Sequence, residues 1–185
     1  MDRELISTSK FLSLVLRHHP EIIGISLDEQ GWVEIDVLLA AANRSGRKLT
    51  RSLLDRVVRE NDKQRFAISA DGTKIRANQG HSIEVDLGLQ PAQPPELLYH
   101  GTVARFLDAI RASGLQPGSR QYVHLSPDVE TARKVGQRRG RPVILVVESG
   151  RMWQDGHAFY RAQNGVWLTD SVPAKYLQFD RCRAE

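Results

Sequence analysis

The chain of 185 residues contains one cysteine, Cys182, close to its C-terminus. A lone cysteine excludes an intramolecular disulfide and a cysteine-based zinc site, as expected in a reducing compartment. No apolar run is long enough to span a bilayer, and no apolar stretch near the N-terminus reads as an export signal. The expectation is a soluble, cytoplasmic protein. Neither GxxxxGK[ST] nor a GxGxxG between strand and helix occurs, so P-loop and Rossmann readings lose their support. The six histidines, His18, His19, His81, His100, His124 and His157, lack HExxH spacing. His18 and His19 project about 100° apart on a helix, and no metal site is expected.

Lysine is also scarce: 20 of the 26 basic residues are arginine. Arginine is the better planar fork for phosphate and carboxylate, although GC-rich codon usage accounts for the bulk of such a bias. The formal charge of +4 is too small to name a nucleic-acid partner. Residues 1–93 carry 13 basic and 13 acidic side chains, and 94–185 carry 13 and 9, so the excess lies in the second half. With 41% hydrophobic and 26% charged residues the chain is globular rather than disordered, and long enough for one or two domains.

The Pro-rich stretch Leu87–Glu96 reads as an extended linker, dividing the chain into domains at 1–90 and 94–185. Ahead of it, Ser7, Thr8 or Ser9 is expected to cap a helix that Pro20 ends, with Phe11, Leu14, Val15 and His18 on one face. A strand at Trp32–Ile35 precedes a helix from Val37 to Ala42 capped by Asp36. Thr50 caps a second helix with an inner stripe of Leu53, Leu54, Val57 and Val58. Asp71-Gly72 then joins strands Arg65–Ser69 and Thr73–Ala77 as a hairpin. This order is the outline of a winged helix. The second half reads as strand Leu97–His100, helix Arg105–Ala112 closed by Gly114, strand Tyr122–Leu125 and a helix opened by Ser126-Pro127. Strands Pro142–Glu148, Gly165–Thr169 and Tyr176–Phe179 follow with little helix between them. The fold class is therefore α+β, its second lobe built on mainly antiparallel strands.

Four clusters could carry chemistry. In LRHHP, Leu16–Pro20, Arg17 and His18 offer a charge and a proton donor together at a helix end. Taken alone, His18 reads equally as a satisfied core histidine. Arg65 in DKQRF stands at the hairpin entry, near the string RANQGHS from Arg76 to Ser82. LYHGT, Leu98–Thr102, ends a strand in His100, Gly101 and Thr102, where a glycine lets a ligand approach the backbone. SRQYVHLSPD, Ser119–Asp128, sets Arg120 before a strand and Ser126 at a helix start, a place suited to anionic groups or to a plain cap.

Taken in order and spacing, LRHHP, KQRF, RANQGHS, LYHGT, SRQYVHLS, TARKVGQRRGRPV and NGVWLT resemble the RNA 2′-phosphotransferase family, the NAD-dependent enzymes associated with tRNA splicing. The resemblance covers about Thr8 to Leu177. It implies a winged-helix-like RNA- and phosphate-binding lobe followed by an ADP-ribosyltransferase-like lobe that binds NAD. It also implies two steps: the RNA 2′-phosphate attacks the nicotinamide-ribose C1″, expelling nicotinamide, and the ribose O2″ then attacks phosphorus. The products are 2′-OH RNA and ADP-ribose 1″,2″-cyclic phosphate, with NAD consumed as co-substrate.

By the same resemblance the catalytic Arg-His-Arg-Arg set falls on Arg17, His18, Arg65 and Arg120. His18 is its titratable member and the proton carrier. The NAD-binding positions fall on His100, His124 and Val166, with Gly101, Thr102 and Ser126 along the nicotinamide riboside and Arg138 beside the dinucleotide. Val166 stands where many protein-modifying relatives carry Glu, which argues against ordinary protein ADP-ribosylation, since an ionised phosphate needs no base. The expected partners are 2′-phosphorylated RNA and NAD, with neither metal nor membrane, and the chain is expected to be a monomer. The alternative is an ADP-ribosyltransferase that acts on nucleic-acid phosphates or other acceptors without the second step.

Overall fold

The computed structural model describes residues 3–61 and 63–179; Cys182 lies outside them. Two compact units divide the chain, Met1–Gly88 and Leu89–Glu185, each with its own hydrophobic core. Among the described residues there are six α-helices and three small antiparallel sheets, an α+β arrangement.

In the first unit, α1 (Arg3–Arg17) begins earlier than its Ser/Thr cluster predicts. Thr8 and Ser9 are not caps but buried members of its inner stripe, with Leu5, Leu12, Val15 and Leu16. The expected face of Phe11, Leu14, Val15 and His18 is therefore corrected. Val15 is in the core, Leu14 is exposed, and Phe11 and His18 lie half-buried along the flank. A local reading misses this because the burial of Ser9 depends on Asn61, whose Nδ2 donates to Ser9 Oγ at 3.2 Å. The helix stops at Arg17, before Pro20 opens a short 3-10 turn, as the sequence predicts.

β1 (Val33–Glu34) leads directly into α2 (Ile35–Arg44), which starts ahead of Asp36, so Asp36 lies in the first turn rather than capping it. Thr50 does cap α3 (Arg51–Arg59), its Oγ1 accepting from Leu53 N at 3.2 Å, a bond worth about 1 kcal/mol. β2 (Phe66–Ile68) and β3 (Lys74–Ala77) form the hairpin at Asp71-Gly72. β1 adds to the outer side of β3, giving the sheet order β1-β3-β2.

The second unit holds two sheets. β4 (Leu98–Val103), β6 (Pro142–Val147) and β9 (Leu177–Gln178) form one, in the order β4-β6-β9. β5 (Val123–Leu125), β8 (Trp167–Thr169) and β7 (Tyr160–Arg161) form the other, in the order β5-β8-β7. A backbone bridge between Tyr99 and Ser126 ties the two, with both bonds 2.8–2.9 Å.

Three helices complete the unit: α4 (Leu107–Ser113), ended by Gly114 at φ 73°, α5 (Val129–Gly136) and α6 (Ser149–Gln154). The sequence gives no sign of α6, because tertiary bonds order it: Ser149 Oγ donates to Pro95 O at 2.7 Å and Gly150 N to Glu96 O at 3.0 Å. The Pro-rich stretch is likewise fastened, with Pro91 bridged to Tyr160 and Ala92 N donating to Phe159 O.

Candidate active site

In the first unit the C-terminus of α1 and the entry to β2 come together. Arg17, the last residue of α1, donates from Nη2 to the main-chain oxygen of Arg65 at 3.3 Å. Its guanidinium lies 6.0 Å from the Phe66 ring centroid. His18 follows at the fraying end, its Nδ1 2.9 Å from Ser82 Oγ. His19, on non-helical backbone at φ −139° beyond the helix end, turns away to Glu21 at 2.9 Å, and only His18 joins the cluster. His18 and Arg65 line one pocket of about 420 Å³, together with Ser9, Lys10, Ser13 and Lys63. This flank placement removes the core-histidine reading of His18.

Arg65 is aimed by its neighbours. Its Nη1 donates to Asn61 Oδ1 at 3.2 Å. Gln64, just before it, has φ 40°, a left-handed conformation costing a side-chain-bearing residue about 1–2 kcal/mol. Gln64 N donates to Asn61 O at 2.8 Å, and Asn78 Nδ2 to Gln64 O at 2.6 Å, which holds the kink. Two asparagines on separate segments thus offset the strain that turns Arg65 toward the pocket.

The second unit gathers His100, His124 and Arg120. His100, on β4, donates from Nδ1 to the main-chain oxygen of His124 at 3.1 Å, which leaves its Nε2 as an acceptor when the ring is neutral. Desolvation lowers the pKa of His100. The bond to His124 opposes that, and the charges of Arg139 and Arg120 add to it. Arg120 Nη1 donates to His124 Nδ1 at 3.2 Å, so a neutral His124 keeps its proton on Nε2. Desolvation, then the charges of Arg139 and Arg138, lower the pKa of Arg120, which draws these three arginines into one electrostatic group.

Other expected positions have plain structural duties. A Cβ on Gly101 would overlap the carbonyl oxygen of Ala132, so the glycine admits the backbone of α5 against β4. Thr102 is buried in the same strand. Ser126 does not cap α5; Asp128 does, accepting from Thr131 N at 2.7 Å, while Ser126 carries the bridge to Tyr99. Val166 precedes Trp167, whose register partner is Leu125 beside Ser126. Among the described residues no His/Cys/Asp/Glu group could hold a metal ion.

A family model described as RNA 2′-phosphotransferase, Tpt1/KptA family, matches residues 3–171. The chain belongs to the RNA 2′-phosphotransferase family. Its relatives include a probable RNA 2′-phosphotransferase from Rhodopirellula baltica, 60% identical over 179 residues, covering 96% of this chain and 97% of that protein. Another probable RNA 2′-phosphotransferase, from Hahella chejuensis, is 58% identical over 177 residues, covering 96% and 95%. One from Streptomyces coelicolor is 60% identical over 174 residues, covering 94% of each. The resemblance read from the seven motifs is thereby established as family membership, and the enzyme is an RNA 2′-phosphotransferase of a family that uses NAD.

Sequence reading of this phosphotransferase missed Asn61, the buried residue that links Arg65 to α1 through Ser9. One local signal was present: Asn61 Oδ1 accepts from Lys63 N two residues on, the Asx-turn that an Asn before a polar run favours. No helix among the described residues is long and apolar enough to cross a membrane.

Proposed function

We propose that the RNA 2′-phosphotransferase activity is carried by Arg17, His18, Arg65 and Arg120, with His100 and its surroundings receiving NAD. In this reading the first unit is the winged-helix-like lobe that takes the RNA 2′-phosphate, and the second is the ADP-ribosyltransferase-like lobe. The observation that supports it most is the joining of Arg17 to Arg65 through main-chain oxygen, with His18 and Arg65 on one pocket. The main-chain oxygen holds the Arg17 guanidinium beside the strand entry that carries Arg65, and an arginine is a permanent cation that forks phosphate.

The residues near His100 fit NAD. Arg120, Arg138 and Arg139 form a cationic group suited to a diphosphate, and His100 presents a fixed acceptor nitrogen suited to a ribose hydroxyl. When bound, NAD supplies the glycosidic bond whose cleavage releases nicotinamide and the ribose 2″-hydroxyl that accepts phosphorus. Gly101, Thr102, Ser126 and Val166 flank this position through backbone and small side chains. Arg17, Arg65 and Arg120 orient the phosphate dianion and offset the charge that develops on it. His18 moves the proton between the attacking hydroxyl and the departing RNA 2′-oxygen. A 2′-phosphate is already an ionised nucleophile, so Val166 suffices where a protein-modifying enzyme would need a carboxylate.

Incubation with NAD and a 2′-phosphorylated oligonucleotide tests this. Nicotinamide, 2′-OH RNA and ADP-ribose 1″,2″-cyclic phosphate are expected. Accumulation of ADP-ribosylated RNA without 2′-OH product would instead establish the transferase that stops after one step.

A further inference from the structure

The string RANQGHS touches each member of the first-unit cluster. Asn78 N donates to Arg65 O at 2.9 Å, Ser82 N donates to Arg17 O at 2.9 Å, and Ser82 Oγ lies 2.9 Å from His18 Nδ1. Gly80, at φ 88°, lies so close to Arg17 that a Cβ would stand 3.5 Å from its Nη1. Between them His81 turns inward, 1% exposed, its Nε2 3.4 Å from where a Cβ on Gly31 would stand, and neither of its ring nitrogens makes a hydrogen bond among the described residues. The burial of this ring ties the loop to the body of the unit. Ser82 then stands at a fixed distance from the end of α1, on the exposed side.

A histidine that both takes and gives a proton has two ring flips and two neutral tautomers to choose from, and only one nitrogen can face the reacting oxygens. A hydroxyl at Nδ1 settles the flip and leaves Nε2 facing outward. It donates to a bare Nδ1 and accepts from a protonated one, so it follows the ring through the whole proton cycle without letting it turn. An aspartate would hold the ring as well, but its charge would pair with Arg17 and Arg65 and repel the phosphate. A neutral partner is what a site for a dianion requires.

We propose that Ser82 is the positioning residue for His18, fixing Nε2 as the proton-exchanging nitrogen, with the buried His81 anchoring the loop that carries it. The proposal rests on His18 being the proton carrier. Ser82→Ala is expected to lower kcat about tenfold, some 1.4 kcal/mol of barrier, with KM for NAD and for 2′-phosphorylated RNA unchanged. In ¹⁵N spectra of the imidazoles, the His18 Nδ1 signal should lose the shift of a hydrogen-bonded nitrogen. Ser82→Thr keeps the hydroxyl and should restore both the rate and the spectrum.

A wild-type kcat and an unchanged His18 spectrum in Ser82→Ala would overturn the proposal. An equal loss in Ser82→Thr would overturn it too, by tracing the effect to the loop rather than to the hydroxyl. His18→Ala separates the two levels. If it is inactive while Ser82→Ala is normal, only the role of Ser82 fails. If His18→Ala itself turns over at the wild-type rate, the assignment of the proton carrier fails first.

Discussion

His18 and His100 are held in different ways. His18 sits one residue past a helix end, half-buried, and its partner is a side-chain hydroxyl that can either donate or accept. His100 sits inside a strand, and its partner is a main-chain carbonyl, which can only accept. The first arrangement tolerates a change of protonation in the ring; the second fixes one tautomer and opposes its loss. Desolvation and the charges of Arg139 and Arg120 keep His100 toward its neutral form. The two rings thus differ in what their partners allow, a difference that suits the roles proposed for them.

The strongest way to break this contrast is at the first site. His18→Ala and Arg65→Ala are each expected to lower formation of 2′-OH RNA about a thousandfold at saturating NAD, measured as single-turnover rates. Loss of binding with an unchanged rate at saturation would make His18 a docking group, the role proposed for His100. Gly101→Ala tests the scaffold beneath the second site. With the Ala132 carbonyl in the way, denaturant unfolding should show a loss of about 3 kcal/mol, and hydrogen exchange should quicken in β4 and α5. Unchanged protection there would mean that α5 can move aside.

The buried third histidine sharpens the comparison. Burial, then the charges of Arg17, His18 and Arg76, push the pKa of His81 down to about 4 from 6.5. The unfolded chain therefore takes up this proton first as the pH falls. The associated stability is complete above pH 6.5 and is lost toward pH 4, by about 3 kcal/mol in all. Stability of the wild type and of His81→Leu, followed from pH 7.5 to 4.5, should show a shallower slope in the variant. Parallel slopes would remove His81 as the source. At the small end, His100→Ala should raise KM for NAD about tenfold with little change in kcat. In the wild type any acid-side rise of that KM should begin below the pH at which a free imidazole titrates, because desolvation lowers the pKa of His100; a rise centred above the free value of 6.5 would contradict it.

What could be read in the sequence divides along similar lines. The cap at Thr50, the hairpin at Asp71-Gly72 and the end of α1 before Pro20 are local, and each depends on residues within a few positions. The inner stripe of α1 and the existence of α6 depend on Asn61 and Pro95, far along the chain, and local periodicity does not contain them. The motifs carried the family. They carried neither the bond from Arg17 to Arg65 O nor that from Ser82 to His18, whose partners are 48 and 64 residues apart. Gly101 was legible as a special position, but the close approach of the α5 backbone that it admits was not.

The left-handed turn at Gln64 ties stability to activity at one torsion. Glycine there would relieve about 1–2 kcal/mol of backbone strain, offset in part by the greater freedom it gives the unfolded chain. The same change would slacken the entry to β2, and with it the direction in which Arg65 points. On the role proposed for Arg65, the substitution would gain stability and lose phosphate transfer. Gln64 is therefore a position where the most stable residue and the most useful one are expected to differ.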